Sequence, residues 1–312
     1  MTSARLFGIA CTLGAVTLFT IQDATIKWLS DVFPLHEIVL VRAAVAGGLM
    51  MVFISFEGGL RLLRTSHPGL HLIRGIMQVI TNSAFFAAIA VMPLADAMAL
   101  FFIAPLIMTA LSTVFLREKV GLRRWSAVVV GLLGVIIMLR PGKGSLQVVA
   151  LLPILAATAY AVLQMLTRRL GAFDRASVMS FYIHVAFIVV GGTMWLLFGD
   201  GSFAVSDNSS VQFLLRAWIV PDGRQWTILL VMGVISAFGA YLITQAYRVA
   251  EVTVVAPFEY VALPFAMLWG LLVFGDVPDR QAVVGMFLIV ASGLYVIYRE
   301  AALKRVGRDT SP

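Results

Sequence analysis

Pro93-Leu94-Ala95-Asp96-Ala97-Met98-Ala99-Leu100-Phe101-Phe102-Ile103-Ala104-Pro105 and Val252-Thr253-Val254-Val255-Ala256-Pro257-Phe258-Glu259-Tyr260-Val261-Ala262-Leu263-Pro264 are two apolar stretches that close on a proline. They continue in parallel. The first leads to Phe115-Leu116-Arg117-Glu118 and then Gly134 to Arg140; the second leads to Val273-Phe274-Gly275-Asp276 and then Gly293 to Arg299. Pro105 thus matches Pro264, Glu118 roughly matches Asp276, and Arg140 matches Arg299. More weakly, Phe19 and Lys27 match Tyr160 and Arg168. The bland alternative is that apolar helices resemble one another by composition. Matched prolines and acid-bearing turns go beyond composition and mark an internal repeat.

Around these stretches the chain reads as ten apolar runs, near 6–29, 36–56, 71–91, 94–115, 122–140, 146–167, 176–198, 225–247, 252–274 and 280–299. Most hold about the 20 residues that a helix needs to cross the hydrocarbon core. Turn chemistry separates them: Glu57-Gly58-Gly59, His67-Pro68-Gly69, Arg140-Pro141-Gly142 and Asp276-Val277-Pro278-Asp279. Each half then has five spans, and an odd number turns the second copy upside down in the bilayer. Inverted repeats of this kind build secondary transporters around a central site. The expected fold is therefore an all-α polytopic membrane protein of ten transmembrane helices in two inverted five-helix repeats. The first repeat is 1–143, the second 144–300, and 301–312 is a basic cytoplasmic tail.

Composition agrees. Of 312 residues, 61% are hydrophobic and only 12% charged, where a soluble domain carries about a quarter as charges. The formal charge of +7 sits at the ends of apolar runs, which argues against nucleic acid and for the positive-inside rule. With the N-terminus in the cytoplasm, 16 of the 23 Lys and Arg fall inside and six outside, with Arg42 left within a span. Both termini are then cytoplasmic and 199–224 is external. Within that segment Val211 to Trp218 reads as a short interfacial helix. The single cysteine, Cys11, forms no intrachain disulfide. The first run is too long, and too polar at Gln22, Asp23 and Lys27, for a cleavable signal peptide.

Ala90-Val91-Met92-Pro93-Leu94-Ala95-Asp96-Ala97 running to Pro105, then Phe115-Leu116-Arg117-Glu118, Trp125 and Gly131-Leu132-Leu133-Gly134-Val135 resemble the EamA-type members of the drug/metabolite transporter superfamily. The resemblance covers nearly the whole chain in two EamA-like repeats. It departs where Val252 replaces the proline at Pro93 and Asp276 replaces the glutamate. It implies a central cavity formed by spans one, three, four, six, eight and nine. It thereby favours Gln22, Asn82, Tyr160, Gln164, Gln245, Glu259 and Tyr260 over Arg42 and His184. The family includes exporters of amino acids and importers of other metabolites, so direction stays open.

No enzymatic motif stands out. Gly142-Lys143-Gly144-Ser145 lacks phosphate-loop spacing, and His36-Glu37 has no second His at metalloprotease spacing. No cofactor or metal is expected. The informative residues are polar ones deep in spans, where a central charge costs about 2.5–3.5 kcal/mol on the insertion scale. Glu259 is the sharpest, between Pro257 and Pro264 near the middle of its run. It can bind a substrate amine, carry a coupling proton, or pair with Arg42; the plain alternative is a structural ion pair or interhelical hydrogen bond. Asp23 and Lys27 lie four apart on one helix face, which reads most plainly as a self-satisfied pair near the outer mouth, with gating or substrate contact as the alternative. Arg42 can snorkel, neutralise an acid, or fork a substrate carboxylate. Asn82, Gln164 and Gln245 either line a pore or join helices. His184 reads as bonding a neighbouring carbonyl. The expected function is a secondary active carrier of a small organic metabolite across the inner membrane. Its substrate is an amino acid, a nucleoside-like compound, a flavin or an organic acid; a coupling proton and a homodimer are compatible with this reading. The competing classes are a channel or non-transporting sensor and, further off, a membrane-embedded enzyme.

Overall fold

The computed structural model describes residues 3–115, 122–139, 146–204, 208–250, 255 and 258–309. The matches at Arg117, Glu118, Arg140 and Val252 lie outside the described residues, as do Pro257 and the turn at 140–145. Among the described residues every regular element is helical. In chain order these are α1 (Ser3–Leu29), α2 (Leu35–Glu57), a 3-10 turn (Leu60–Leu63), α3 (Pro68–Ile89), α4 (Leu94–Phe101), α5 (Ala104–Phe115), α6 (Leu122–Leu139) and α7 (Leu146–Val149). There follow α8 (Leu151–Leu170), α9 (Ala176–Phe198), α10 (Ser209–Leu215), α11 (Gly223–Val249), α12 (Ala262–Trp269) and α13 (Arg280–Asp309). Six of the described helices, α1, α2, α3, α8, α9 and α11, are long and apolar enough to cross a membrane. Shorter apolar helices cover Leu94–Met108, Val129–Met138, Ala262–Phe274 and Arg280–Tyr295.

The distribution of side chains inverts that of a soluble protein. Phe56 is 88% exposed, Leu196 77% and Phe287 70%, whereas Glu37 is 0% and Arg42 1% exposed. Large apolar groups face outward and charges inward, which a lipid surround favours and water opposes. The chain is a polytopic α-helical membrane protein. Polar contacts tie the described helices together at two ends of the bundle. At one end Lys27 Nζ donates to the carbonyls of Ile89 and Met92 at 3.2 and 2.7 Å and lies 3.7 Å from Asp276. At the other, the Asp174 carboxylate accepts from Thr65 at 2.8 Å and sits 2.9 Å from His71 Nε2, while Ser177 donates to Glu57 at 2.6 Å.

Prolines set the irregularities. Pro68 opens α3, where its missing N–H costs nothing. Pro105 removes the donor that the Phe101 carbonyl needs, and the run at 94–115 breaks into α4 and α5 at Phe102–Ile103. Pro264 acts alike: the chain turns at Tyr260–Val261 before α12. The two breaks touch. Their rings, Phe102 and Tyr260, stand 4.9 Å apart, and the Tyr260 hydroxyl reaches the Phe102 carbonyl at 3.5 Å. Beyond α12 a π turn, Gly270–Phe274, ends on Gly275 at φ 69°, a conformation that glycine adopts without penalty. α6 packs against α13 so closely that a Cβ on Gly134 would lie 2.8 Å from the Gly285 carbonyl.

The short helix expected within 211–218 forms as α10: Asn208 caps it, Phe213 is buried, and Ser210 donates to the Ala87 carbonyl at 2.7 Å. Just beyond it, Ile219 N–H donates to the buried Glu37 carboxylate at 3.0 Å. One expectation changes here: the Asp23–Lys27 pair is replaced, because Lys27 turns to Asp276 and two carbonyls while Asp23 turns into the bundle.

Candidate functional site

A cavity of about 160 Å³ occupies the centre of the bundle. The helices that line it each present one stripe. On α3 the stripe is Arg74, Gln78, Thr81, Asn82 and Phe85; on α8 it is Tyr160, Leu163, Gln164 and Thr167; on α1 it is Val16, Phe19, Thr20 and Asp23, with Gln22 beside it. Steps of three and four residues keep side chains on one helix face. The break in the 94–115 run adds Met98, Phe101 and Phe102. Besides the elements that the resemblance implied, α2 contributes Arg42, and α9 contributes Ile183, His184 and Phe187.

Two polar clusters line this space. In the first, Glu259 accepts from the Tyr160 hydroxyl at 3.2 and 3.1 Å, one contact to each oxygen, and from the Tyr247 hydroxyl on Oε1. Gln164, one turn along from Tyr160, interacts with the same phenol. Phe101 packs on the Tyr160 ring at 5.1 Å. A hydroxyl both donates and accepts, so this trio can reorganise around an added proton without orphaning a member. In the second cluster, Arg42 Nη2 donates to Asn82 Oδ1. The Arg42 guanidinium lies over the rings of Phe86 and Phe187 at 5.2 and 5.4 Å, and it is coupled through space to Asp23. His184 is beside it in the lining, with both ring nitrogens lacking a partner among the described residues.

The Glu259–Arg42 pair considered from sequence is not formed; each charge has its own partners on a different side of the cavity. Gln245 and Tyr260 are not among the lining residues. α11 turns Ser236, Ala240, Ile243 and Thr244 inward instead, and Tyr260 is spent on the contact between the helix breaks, packed on Gly293 where a Cβ would collide with its hydroxyl. Sequence reasoning missed Tyr247, although Ser236, Ala240, Ile243, Thr244 and Tyr247 follow the same helical stripe. The 16 basic residues counted inside include Arg74, which the sequence does not mark as buried. The structure buries Arg74 at 1% exposure, donating to Thr167 Oγ1 at 2.9 Å and to the Met179 carbonyl at 3.1 Å.

An all-helical membrane protein with a small, mixed polar and aromatic cavity at its centre belongs with proteins that bind small molecules inside the bilayer. The EamA-like transporter family matches residues 6–140. The riboflavin transporter of Vibrio cholerae is 30% identical over 301 residues, covering 95% of each chain. The pseudopaline exporter of Pseudomonas aeruginosa is 30% identical, covering 91% of this chain and 94% of its own. The S-adenosylmethionine uptake transporter of Rickettsia prowazekii is 24% identical, covering 94% and 93%. One crystal structure, 18% identical, superposes with a TM-score of 0.64 over 97% of this chain and 98% of that one, and so shares the fold. The chain belongs to the EamA-like transporter family.

Proposed function

We propose that this protein is a secondary active transporter that carries a small organic metabolite across the cytoplasmic (inner) membrane by alternating access, with its site in the central cavity. The observation that carries the proposal is the Glu259–Tyr160–Tyr247 cluster: a buried carboxylate held by two phenols where α8, α11 and the broken segment at 258–261 converge. An ionisable group held inside a bundle at this depth is expensive and is kept where it moves a substrate or a proton. The proposal includes ten spans in two inverted repeats, 1–143 and 144–300, which meet at the paired breaks before Pro105 and Pro264. Discontinuous helices at the repeat interface are where carriers bind cargo. The relatives named for riboflavin, S-adenosylmethionine and pseudopaline support a cargo among flavins, nucleoside-like compounds and organic acids. They include uptake and export, so the proposal covers either direction.

Reconstitution in proteoliposomes tests it. Labelled riboflavin or S-adenosylmethionine, offered with and without an imposed proton gradient, should enter at least one preparation well above empty vesicles. Steady ion current with no solute flux would replace the carrier with a channel. Orientation is read separately on a Cys11→Ala background. An impermeant thiol reagent outside the cell should label Ser202→Cys and spare Ser66→Cys, as the 16-to-six bias of basic residues requires.

A further inference from the structure

Hydrogen-bond demand inside the cavity is lopsided. On the Glu259 side, both carboxylate oxygens receive tyrosine hydroxyls. On the Arg42 side, Nε and Nη1 of Arg42 and Nδ1 and Nε2 of His184 meet no partner among the described residues. Both side chains are only 1% exposed and both line the same cavity. Arg74, the other buried cation of the lining, is occupied by Thr167 and Met179, so the unmet donors concentrate at one place. Asp23 offsets the charge of Arg42 through space, but its influence leaves those two nitrogens without acceptors. The acceptor Oε1 of Gln22, next to Asp23, is also unpartnered.

The surroundings narrow what fits. A guanidinium between two aromatic rings is held in place and keeps its planar donors directed. A neutral imidazole adds one more donor. The cavity, at about 160 Å³, is close to the ~150 Å³ cavity that admits benzene. Resting on the reading of this cavity as the transport site, we propose that Arg42 and His184 form a carboxylate-binding subsite. Of the cargo classes above, the subsite therefore favours a compact organic acid over flavins and nucleoside-like compounds: a carboxylate on an apolar body, with a hydrogen-bond donor for Gln22 close by.

Binding to the purified full-length protein tests this with three probes of one shape: benzoate, benzamide and benzylammonium. Benzoate should raise the apparent melting temperature, because a ligand that binds the native state stabilises it. Benzamide should bind at least about tenfold more weakly, since a hydrogen bond to a charged group is worth more than a neutral one. Benzylammonium should not bind. Asp23→Asn removes the carboxylate that competes for Arg42 and should tighten benzoate severalfold, a gain that misfolding cannot produce. Arg42→Gln combined with Asp23→Asn removes the charge pair together and should weaken benzoate about tenfold to a hundredfold relative to the wild type. A cooperatively melting double variant that binds benzoate as the wild type does, or a preference for benzylammonium, overturns the subsite. Flux of riboflavin or S-adenosylmethionine that benzoate neither binds against nor inhibits also removes the subsite and leaves the carrier standing. Benzoate binding of the expected selectivity without flux of any solute supports the subsite and removes the carrier.

Discussion

The α8–α11 side of the cavity and the α2–α9 side each hold a charge that sequence alone marks as costly, and they hold it in opposite ways. Glu259 is met by two phenols that reach it from different helices. Arg42 is met by one amide, two aromatic faces and a carboxylate acting through space. The first arrangement is complete as it stands and ties three segments together. The second has donors in hand. A buried charge in a membrane protein is therefore not by itself a sign of a ligand: what distinguishes the two sides is how much hydrogen-bonding capacity remains once the neighbours are counted.

The largest effect expected from breaking this contrast is at Arg42. Arg42→Gln removes the only lining cation coupled to Asp23 among the described residues and leaves that carboxylate buried and uncompensated. Removing one member of a buried pair costs about 3–5 kcal/mol. Equilibrium unfolding of the purified protein should show a loss of that size, and adding Asp23→Asn should recover most of it. An Arg42→Gln protein as stable as the wild type would mean that Asp23 and Arg42 do not share a field, and the two sides would no longer differ as described.

On the other side the expected losses are smaller and divide by chemistry. Glu259→Ala removes the acceptor that the Tyr160 and Tyr247 hydroxyls share and leaves them only each other and Gln164, a loss of about 1–3 kcal/mol. Glu259→Gln keeps an acceptor oxygen and should unfold nearly like the wild type. In vesicles the same Gln variant should lose gradient-driven accumulation by more than about tenfold, the order expected when a positioned proton carrier is removed. Exchange of labelled for unlabelled substrate should continue. Wild-type accumulation by Glu259→Gln would reduce the trio to a structural cluster, and the comparison would then be between a brace and a binding site.

The sequence showed which residues are costly and on which runs they lie, because burial of polar groups in apolar helices is a local statement. It put Gln22, Asp23, Arg42, Asn82, Tyr160, Gln164 and Glu259 on its list, and the structure brings all of them to one cavity. Matched prolines also marked Pro105 and Pro264 as equivalent, and both sit just after a break. Partners were not legible. Whether Glu259 meets Arg42 or Tyr247 depends on helix rotation across the bundle, which a single sequence does not encode locally. Lys27 shows the same limit, since its spacing from Asp23 is correct for a pair but a carboxylate far along the chain and two freed carbonyls at the end of α3 compete better. Arg74 was lost to the count of basic residues because a cation near a span end satisfies the positive-inside rule whether it faces water or the core.

The smallest effect expected is on α11, and it tests the rotation on which the rest depends. Gln245 is the residue that polarity singles out there, but the structure directs Ser236, Ala240, Ile243 and Thr244 into the cavity. Gln245 is one step, about 100°, around the helix from Thr244. Thr244 is buried at 3% exposure, and Ser180 Oγ lies 3.4 Å from its hydroxyl. Gln245→Ala should therefore change stability by no more than about 0.5 kcal/mol, as for substitutions away from a buried network, and should leave flux within about twofold of the wild type. Thr244→Val exchanges a buried hydroxyl for a methyl, which is not a neutral swap, and should cost about 1 kcal/mol with a measurable fall in flux. The reverse pattern, a silent Thr244→Val and a transport-dead Gln245→Ala, requires α11 to be turned by about one residue. That rotation would carry Tyr247 away from Glu259 as well, because Tyr247 lies on the stripe that Thr244 defines. One pair of variants on a helix with no charge in the cavity thus reports on the partner that completes the Glu259 side.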